Sequence, residues 1–168
     1  IAVPQVKELL SHYGEVAVLW WDTPVGMTKE RAARFLRLLS SQPGIIHNSR
    51  LGGGYRGDFE TPEQFVPAAG LKGDWENCMT MNNSWNFIES DDNWKPAETL
   101  IRHLVDIVSK GGNYLLDVGP TPEGLFPAAA VERLRAIGEW MRVNGESIYD
   151  TTASPFTRLP WGRCTKRV

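Results

Sequence analysis

Asp22 closes the run Val16-Ala17-Val18-Leu19-Trp20-Trp21-Asp22, so a carboxylate stands at the end of an apolar stretch, directly after two indoles. A carboxylate beside aromatic walls at the carboxyl end of a parallel strand is how a barrel enzyme mounts a nucleophile or a charge partner for a sugar. Cleaving a glycosidic bond this way needs a second carboxyl group, about 5 to 5.5 Å away for retention and about 6.5 to 9.5 Å for inversion. Three glutamates offer themselves: Glu60 and Glu63 in Phe59-Glu60-Thr61-Pro62-Glu63-Gln64, and Glu76 in Asp74-Trp75-Glu76-Asn77-Cys78. A loop glutamate can approach a leaving group, and an indole such as Trp75 is the kind of apolar wall that general acids use. A solvated or ion-paired glutamate is the competing reading for each. Arg50, just past His47-Asn48, would reach the same face and could hold a sugar hydroxyl or pair with Asp22; the alternative is a surface arginine on a glycine-rich loop. His47 is either a ring on that face or a hydrogen-bonded core histidine, whereas His12 and His103 fall on helical stretches.

The elements that must carry these residues follow from periodicity. Three later apolar runs also end in polar residues: Gly44 to Asn48, Cys78 to Asn82, and Asn113 to Gly119. Helical patterns lie between them. A helix ends at Tyr13-Gly14, and after the loop Thr23-Pro24-Val25-Gly26-Met27 a second begins at the N-cap Thr28 with Phe35, Leu38 and Leu39 inward. Residues 50–74 form a long irregular stretch, a length that compact domains usually reserve for function. Pro96 opens a third helix with the stripe Ile101, Leu104, Val105 and Val108, and a fourth starts near Pro127 with Val131, Leu134, Ile137 and Met141 facing inward. Ser147-Ile148-Tyr149 reads as one more short strand. Strand and helix in alternation imply an α/β fold with a parallel sheet. The first strand has no glycine-rich phosphate loop after it, and loops carrying polar residues after every strand favour a (β/α) barrel. A full barrel takes about 250 residues, so 168 residues predict a partial, half (β/α)8 TIM-type barrel: residues 1–153 the barrel segment, residues 154–168 a linker-like tail.

Composition narrows the function classes. With 42% hydrophobic and 23% charged residues the chain has the makings of one folded domain. A net charge of -2, with basic residues gathered only between Arg158 and Arg167, argues against nucleic acid. No run reaches the roughly 18 apolar residues of a membrane span, and Ile1-Ala2-Val3-Pro4 does not read as a secretory leader. Two cysteines, Cys78 and Cys164, match no metal-ligand spacing and read as buried thiols. Seven tryptophans, several beside polar residues, suit a carbohydrate platform as well as core filling.

At these residues the sequence resembles the retaining α-L-fucosidases of glycoside hydrolase family 29. The resemblance rests on Val18-Leu19-Trp20-Trp21-Asp22, Asn48-Ser49-Arg50, Thr61-Pro62-Glu63-Gln64 and Trp75-Glu76-Asn77-Cys78-Met79-Thr80. It is strongest in the run from Gly111 to Gly124, followed by Gly145-Glu146-Ser147-Ile148-Tyr149. It implies Asp22 as nucleophile, Glu63 as acid/base with Glu76 as runner-up, Trp20 lining the fucose site, Arg50 as a sugar-binding arginine, and Trp85 or Phe87 packing on the fucose methyl. His47 joins the substrate-binding set. It implies a fucosylated glycan as substrate, no metal or organic cofactor, and a secreted or periplasmic setting, the compartment itself being unknown. Family members also have a first barrel half with sugar-gripping histidines and usually a C-terminal β-sandwich, and neither is in this sequence. The open strand edges of a half barrel predict a homo-oligomer, a dimer or higher. A non-catalytic remnant or fucose-binding module, and a structural domain without a site, are the alternatives.

Overall fold

The computed structural model describes residues 1–22 and 24–168; Thr23, the first residue of the expected loop Thr23 to Met27, lies outside the described residues. The chain divides into two units, Ile1–Thr61 and Pro62–Val168. Each is an α/β arrangement in which parallel strands are backed by amphipathic helices.

In the first unit, helix α1 (Ala2–His12) buries Leu10 and gives way to Gly14 at φ +85°. Strand β1 (Val18–Leu19) pairs in parallel with β2 (Ile46–His47), Val18 against Ile46 and Leu19 against His47. Helix α2 (Lys29–Leu39) crosses between them, and Thr28 Oγ1 accepts from Arg31 N at 3.3 Å as the predicted cap. Strand β3 (Phe59–Glu60) continues the parallel set through an Asn48–Phe59 bridge. The core is Leu10, Trp21, Ala32, Leu39 and Leu51, with the Trp21 and Phe35 rings edge to face at 5.7 Å. The expected strand to Asp22 is much shorter than the apolar run. Val18 remains 45% exposed, and beyond Leu19 the main chain of Trp21 bonds to a side chain instead of to a strand.

In the second unit, β4 (Asp74–Thr80) and β5 (Asn113–Asp117) pair in parallel from Glu76–Asn113 to Thr80–Asp117. Helix α3 (Ala97–Ser109) joins them and α4 (Ala128–Asn144) follows. Met81, Leu100 and Ala130 form a core against Trp94, Leu116, Val118, Leu134 and Ile137. The deepest α3 residues are Leu100 and Ile107, both fully buried, and not the predicted stripe of Ile101, Leu104, Val105 and Val108. Each contributes about 1.5 to 3 kcal/mol by burial. Ser147 to Tyr149 is not a strand: Gly145–Ser147 is a 3₁₀ turn. The strand comes later, as β6 (Thr151–Thr152), antiparallel to β7 (Lys166–Arg167). Residues 154–164 lie between this pair and are tied to α3 by Ser154 N to Ser109 O at 2.8 Å and Arg163 Nε to Asp106 Oδ1 at 2.7 Å. Neither cysteine is disulfide-bonded; Cys78 is buried and Cys164 only half-buried, its Sγ 3.1 Å from Ser154 Oγ.

Candidate active site

Asp22 is held by Asn48 through the intervening tryptophan. Asn48 is completely buried; its Oδ1 accepts from Trp21 N at 2.8 Å and its Nδ2 donates to Trp21 O at 2.8 Å. One side-chain amide thus takes the place of a neighbouring strand for the residue before Asp22, and the carboxylate is set out toward solvent, 72% exposed. The loop that closes over the end of β2 can do so because residue 57 is glycine: a Cβ there would lie 2.3 Å from His47 O and 2.4 Å from Asn48 O.

Arg50 gathers the rest of this group. Its Nε donates to Thr61 Oγ1 at 2.7 Å and its Nη2 to Thr61 O at 2.9 Å, its guanidinium lies 4.6 Å over the Trp20 ring, and its Nη1 reaches Asp22 Oδ1 at 3.4 Å. Two strong bonds and a stacked face orient the fork, and the bond to Asp22 is the longest of its three. The arginine side chain is 18% exposed, so it is no surface residue. His47 Nδ1 lies 3.2 Å from Trp21 Nε1 and 3.1 Å from Asn48 O. Accepting from Trp21 requires the Nε2–H tautomer and donating to Asn48 the Nδ1–H tautomer. Either way Nδ1 is engaged within the unit. Trp20, Asp22 and Arg50 are therefore brought together, whereas His47 packs edge to face against the buried Trp21 ring.

Glu63 and Glu76 belong to the second unit. Residues 62–64 run beside β4 through a parallel Glu63–Cys78 bridge, with Cys78 N donating to Pro62 O at 3.2 Å and Gln64 N to Cys78 O at 3.0 Å. Parallel partners share a sheet face and side chains alternate along a strand, so Glu63, Cys78, Glu76, Thr80 and Asp117 lie on one face. Glu63 is level with Cys78. Glu76 lies two residues toward the amino end of β4, away from the carboxyl ends where α/β sites form. Alternation also overturns the expected Trp75 wall: Trp75, 1% exposed, faces away from Glu76 into the helical layer. Glu60 lies in β3, in the first unit, where it accepts from Arg56 Nη2 at 2.6 Å.

Trp85 and Phe87 are on the loop after β4, Trp85 37% exposed. That loop meets the turn after β5 closely: a Cβ on Gly119 would stand 2.4 Å from Phe87 N and 2.5 Å from Asn86 C. Two residues at the carboxyl ends escaped the sequence reading as site residues. Asp117 Oδ2 is buried without a hydrogen-bond partner among the described residues, and burial pushes its carboxyl pKa up; its place at the end of an apolar run was the available signal. Lys95 bonds to the end of β4, and nothing in its local pattern marks it. Two cavities, of about 840 and 760 Å³, are lined by the tail and by the α3–α4 groove and include none of the candidate site residues. No group of three His, Cys, Asp or Glu suited to a metal ion occurs among the described residues.

The geometry can be set beside known proteins. The sequence profile of the family described as Alpha-L-fucosidase matches residues 1–146. The plasma alpha-L-fucosidase of Rattus norvegicus is 34% identical over 162 residues, covering 89% of this chain and 35% of that protein. The tissue alpha-L-fucosidase of Homo sapiens is 31% identical over 185 residues, covering 99% and 38%. Among solved structures, alpha-L-fucosidase isoenzyme 1 from Paenibacillus thiaminolyticus superimposes with a TM-score of 0.92 at 36% identity, over 99% of this chain and 44% of that one. A trapped covalent intermediate of an alpha-L-fucosidase GH29 from Bacteroides thetaiotaomicron, in complex with 2-fluoro-fucosyl fluoride, gives 0.86 at 28% identity, over 97% and 43%. The chain spans well under half the length of each of these relatives. By its sequence profile and its close relatives, the chain belongs to the alpha-L-fucosidase family.

Proposed function

We propose that the chain performs retaining α-L-fucoside hydrolysis by double displacement, on terminal α-L-fucosyl residues of glycans or on aryl fucosides. Asp22 attacks the anomeric carbon as Glu63 protonates the departing oxygen, giving a β-linked fucosyl-enzyme. Water deprotonated by Glu63 then attacks that carbon, releases Asp22 and yields α-L-fucose, so two inversions give net retention. Trp20, His47 and Arg50 bind the sugar, and Trp85 and Phe87 pack on its methyl side. The observation that carries this reading is the Arg50 guanidinium, fixed by Thr61, stacked on Trp20 and reaching Asp22. Family membership and a relative trapped as a covalent intermediate support it. Glu63 is preferred to Glu76 because it stands nearer the carboxyl end of the sheet.

In this reading residues 1–153 are the carboxyl-terminal half of a (β/α)8 barrel, residues 154–168 are a linker-like tail, and the working form is an oligomer joined through open sheet edges. The strand residues Val18, Ile46 and Leu115, each 43–45% exposed, support the last point, since apolar strand faces of this kind favour association. A monodisperse monomer in light scattering at micromolar concentration removes it.

Release of 4-nitrophenol from 4-nitrophenyl α-L-fucoside tests the activity, with Asp22→Ala in parallel. The expected result is turnover in the parent chain and a loss of at least about 1,000-fold in the variant. Fucose binding with no turnover in the folded parent would replace the enzyme by a fucose-binding module.

A further inference from the structure

We propose that Lys95 is a positioning residue that locks the Glu63–Gln64 segment and the Trp85–Phe87 loop to one point at the end of β4; its role toward substrate rests on the Glu63 assignment made above. The Lys95 ammonium has three donors and meets three acceptors: Thr80 O at 2.7 Å, Asn82 O at 2.7 Å and Thr80 Oγ1 at 3.3 Å. Its own main-chain N donates to Met81 O at 2.8 Å, and its carbonyl accepts from Arg133 Nε of α4 at 2.7 Å. Lys95 is thereby fixed to the helical layer while its ammonium grips the Thr80 and Asn82 carbonyls, one on either side of Met81.

Thr80 Oγ1 is the junction. It donates to Asn82 O, accepts from Lys95, and accepts from Gln64 Nε2 at 3.1 Å. One hydroxyl thus has its single donor and both acceptor positions filled. Gln64 is the residue after Glu63 and has φ +60°, a left-handed conformation that a non-glycine residue keeps only when its surroundings hold it. Thr80 holds its side chain and Cys78 O its main-chain N–H. On the other side, Asn82 begins the segment that carries Trp85 and Phe87, which Asp91 closes by accepting from Ser84 Oγ at 2.6 Å and Asn83 N at 3.1 Å. Thr80 is completely buried and Asn82 8% exposed, so water is a poor substitute for the ammonium at their carbonyls.

Hydrogen exchange followed by mass spectrometry on the parent chain, Lys95→Met and Thr80→Val tests the coupling without depending on turnover. In Lys95→Met the expected result is faster exchange in both 62–66 and 82–94, by about 10-fold or more, with the middle of α4 unchanged. In Thr80→Val, which leaves the ammonium on both carbonyls but removes the Gln64 bond and one bond to Asn82 O, 62–66 should loosen more than 82–94. Faster exchange in only one segment of Lys95→Met, or spread evenly over the chain, overturns the proposal. The second measurement compares kcat/KM of Lys95→Met on 4-nitrophenyl α-L-fucoside with that on an alkyl fucoside, whose poor leaving group depends on protonation. A displaced Glu63 predicts a loss about 10-fold larger on the alkyl substrate, a bias that general destabilisation does not produce. Coupled exchange with equal losses would uphold the Lys95 lock and count instead against Glu63 as the acid.

Discussion

Two buried asparagines do similar work in the two units with unequal success. Asn48, in the first, uses both ends of its amide on the main chain of Trp21. Asn77, in the second, donates to Phe65 O at 2.6 Å but leaves its buried Oδ1 without a partner among the described residues. The difference reflects what else holds each region. Among the described residues, two residue pairs join β1 to β2 near Asp22, whereas β4 and β5 are joined through five. Where the backbone ladder is short, a side chain must supply the missing bonds and every one counts. Where the ladder is long, one imperfect amide is tolerated.

Truncating the two asparagines is the strongest way to break this comparison. Asn48→Ala strips the Trp21 N–H and C=O of their partners in a buried setting, and we expect a loss of about 3 kcal/mol. Thermal denaturation should show it as a fall of roughly 6 to 12 °C. Asn77→Ala removes one bond together with an oxygen that was already unsatisfied, for about 1 kcal/mol. Equal losses in the two variants would refute the idea that ladder length decides how much an asparagine matters.

A smaller effect sharpens the same contrast within the first unit. Arg50→Lys keeps the charge but cannot reproduce the planar fork that bonds Thr61 twice and stacks on Trp20. We expect kcat/KM on 4-nitrophenyl α-L-fucoside to fall about 10- to 100-fold, a transition-state loss of about 1.4 to 2.8 kcal/mol, with less change in melting temperature than Asn48→Ala causes. A lysine variant with parental kinetics would reduce Arg50 to a structural strut.

How much of this was legible in the sequence depended on whether position was set by pattern or by side-chain substitution. The order of helices and parallel strands followed from periodicity, and the closeness of Trp20, Asp22 and Arg50 followed from their sitting just past neighbouring strands. The true length of β1 was not legible, because an amide standing in for a strand leaves no periodic trace. Helix α3 misled the phase assignment: Leu100, Ile101, Leu104, Val105, Ile107 and Val108 spread apolar residues over an arc of about 160°, and only packing selects Leu100 and Ile107, at one edge of it. Strands β6 and β7, made of Thr151–Thr152 and Lys166–Arg167, carry no apolar alternation at all. Lys95 escaped because a lysine's partners across a sheet end, here Thr80 and Asn82, lie more than ten residues back in sequence.

The tail offers the mildest test, because one carboxylate adds to its short β6–β7 ladder in tying it to the second unit. Asp106 of α3 lies between Lys110 Nζ at 2.8 Å and Arg163 Nε at 2.7 Å. Burial pushes its pKa up, but the hydrogen bonds and charges of Lys110 and Arg163 outweigh burial and hold it below the usual carboxylate value. A carboxylate with a depressed folded-state pKa contributes stability that is complete above its unfolded value of about 3.9 and is lost as pH falls through the folded value. The pair is partly solvated, so the contribution is about 1 kcal/mol or less. Asp106→Asn should therefore be slightly less stable than the parent at pH 7, and the gap should close on acidification below about pH 4. Urea unfolding at both pH values measures this, and a gap that persisted in acid would mean that Asp106 acts through packing and not through its charge.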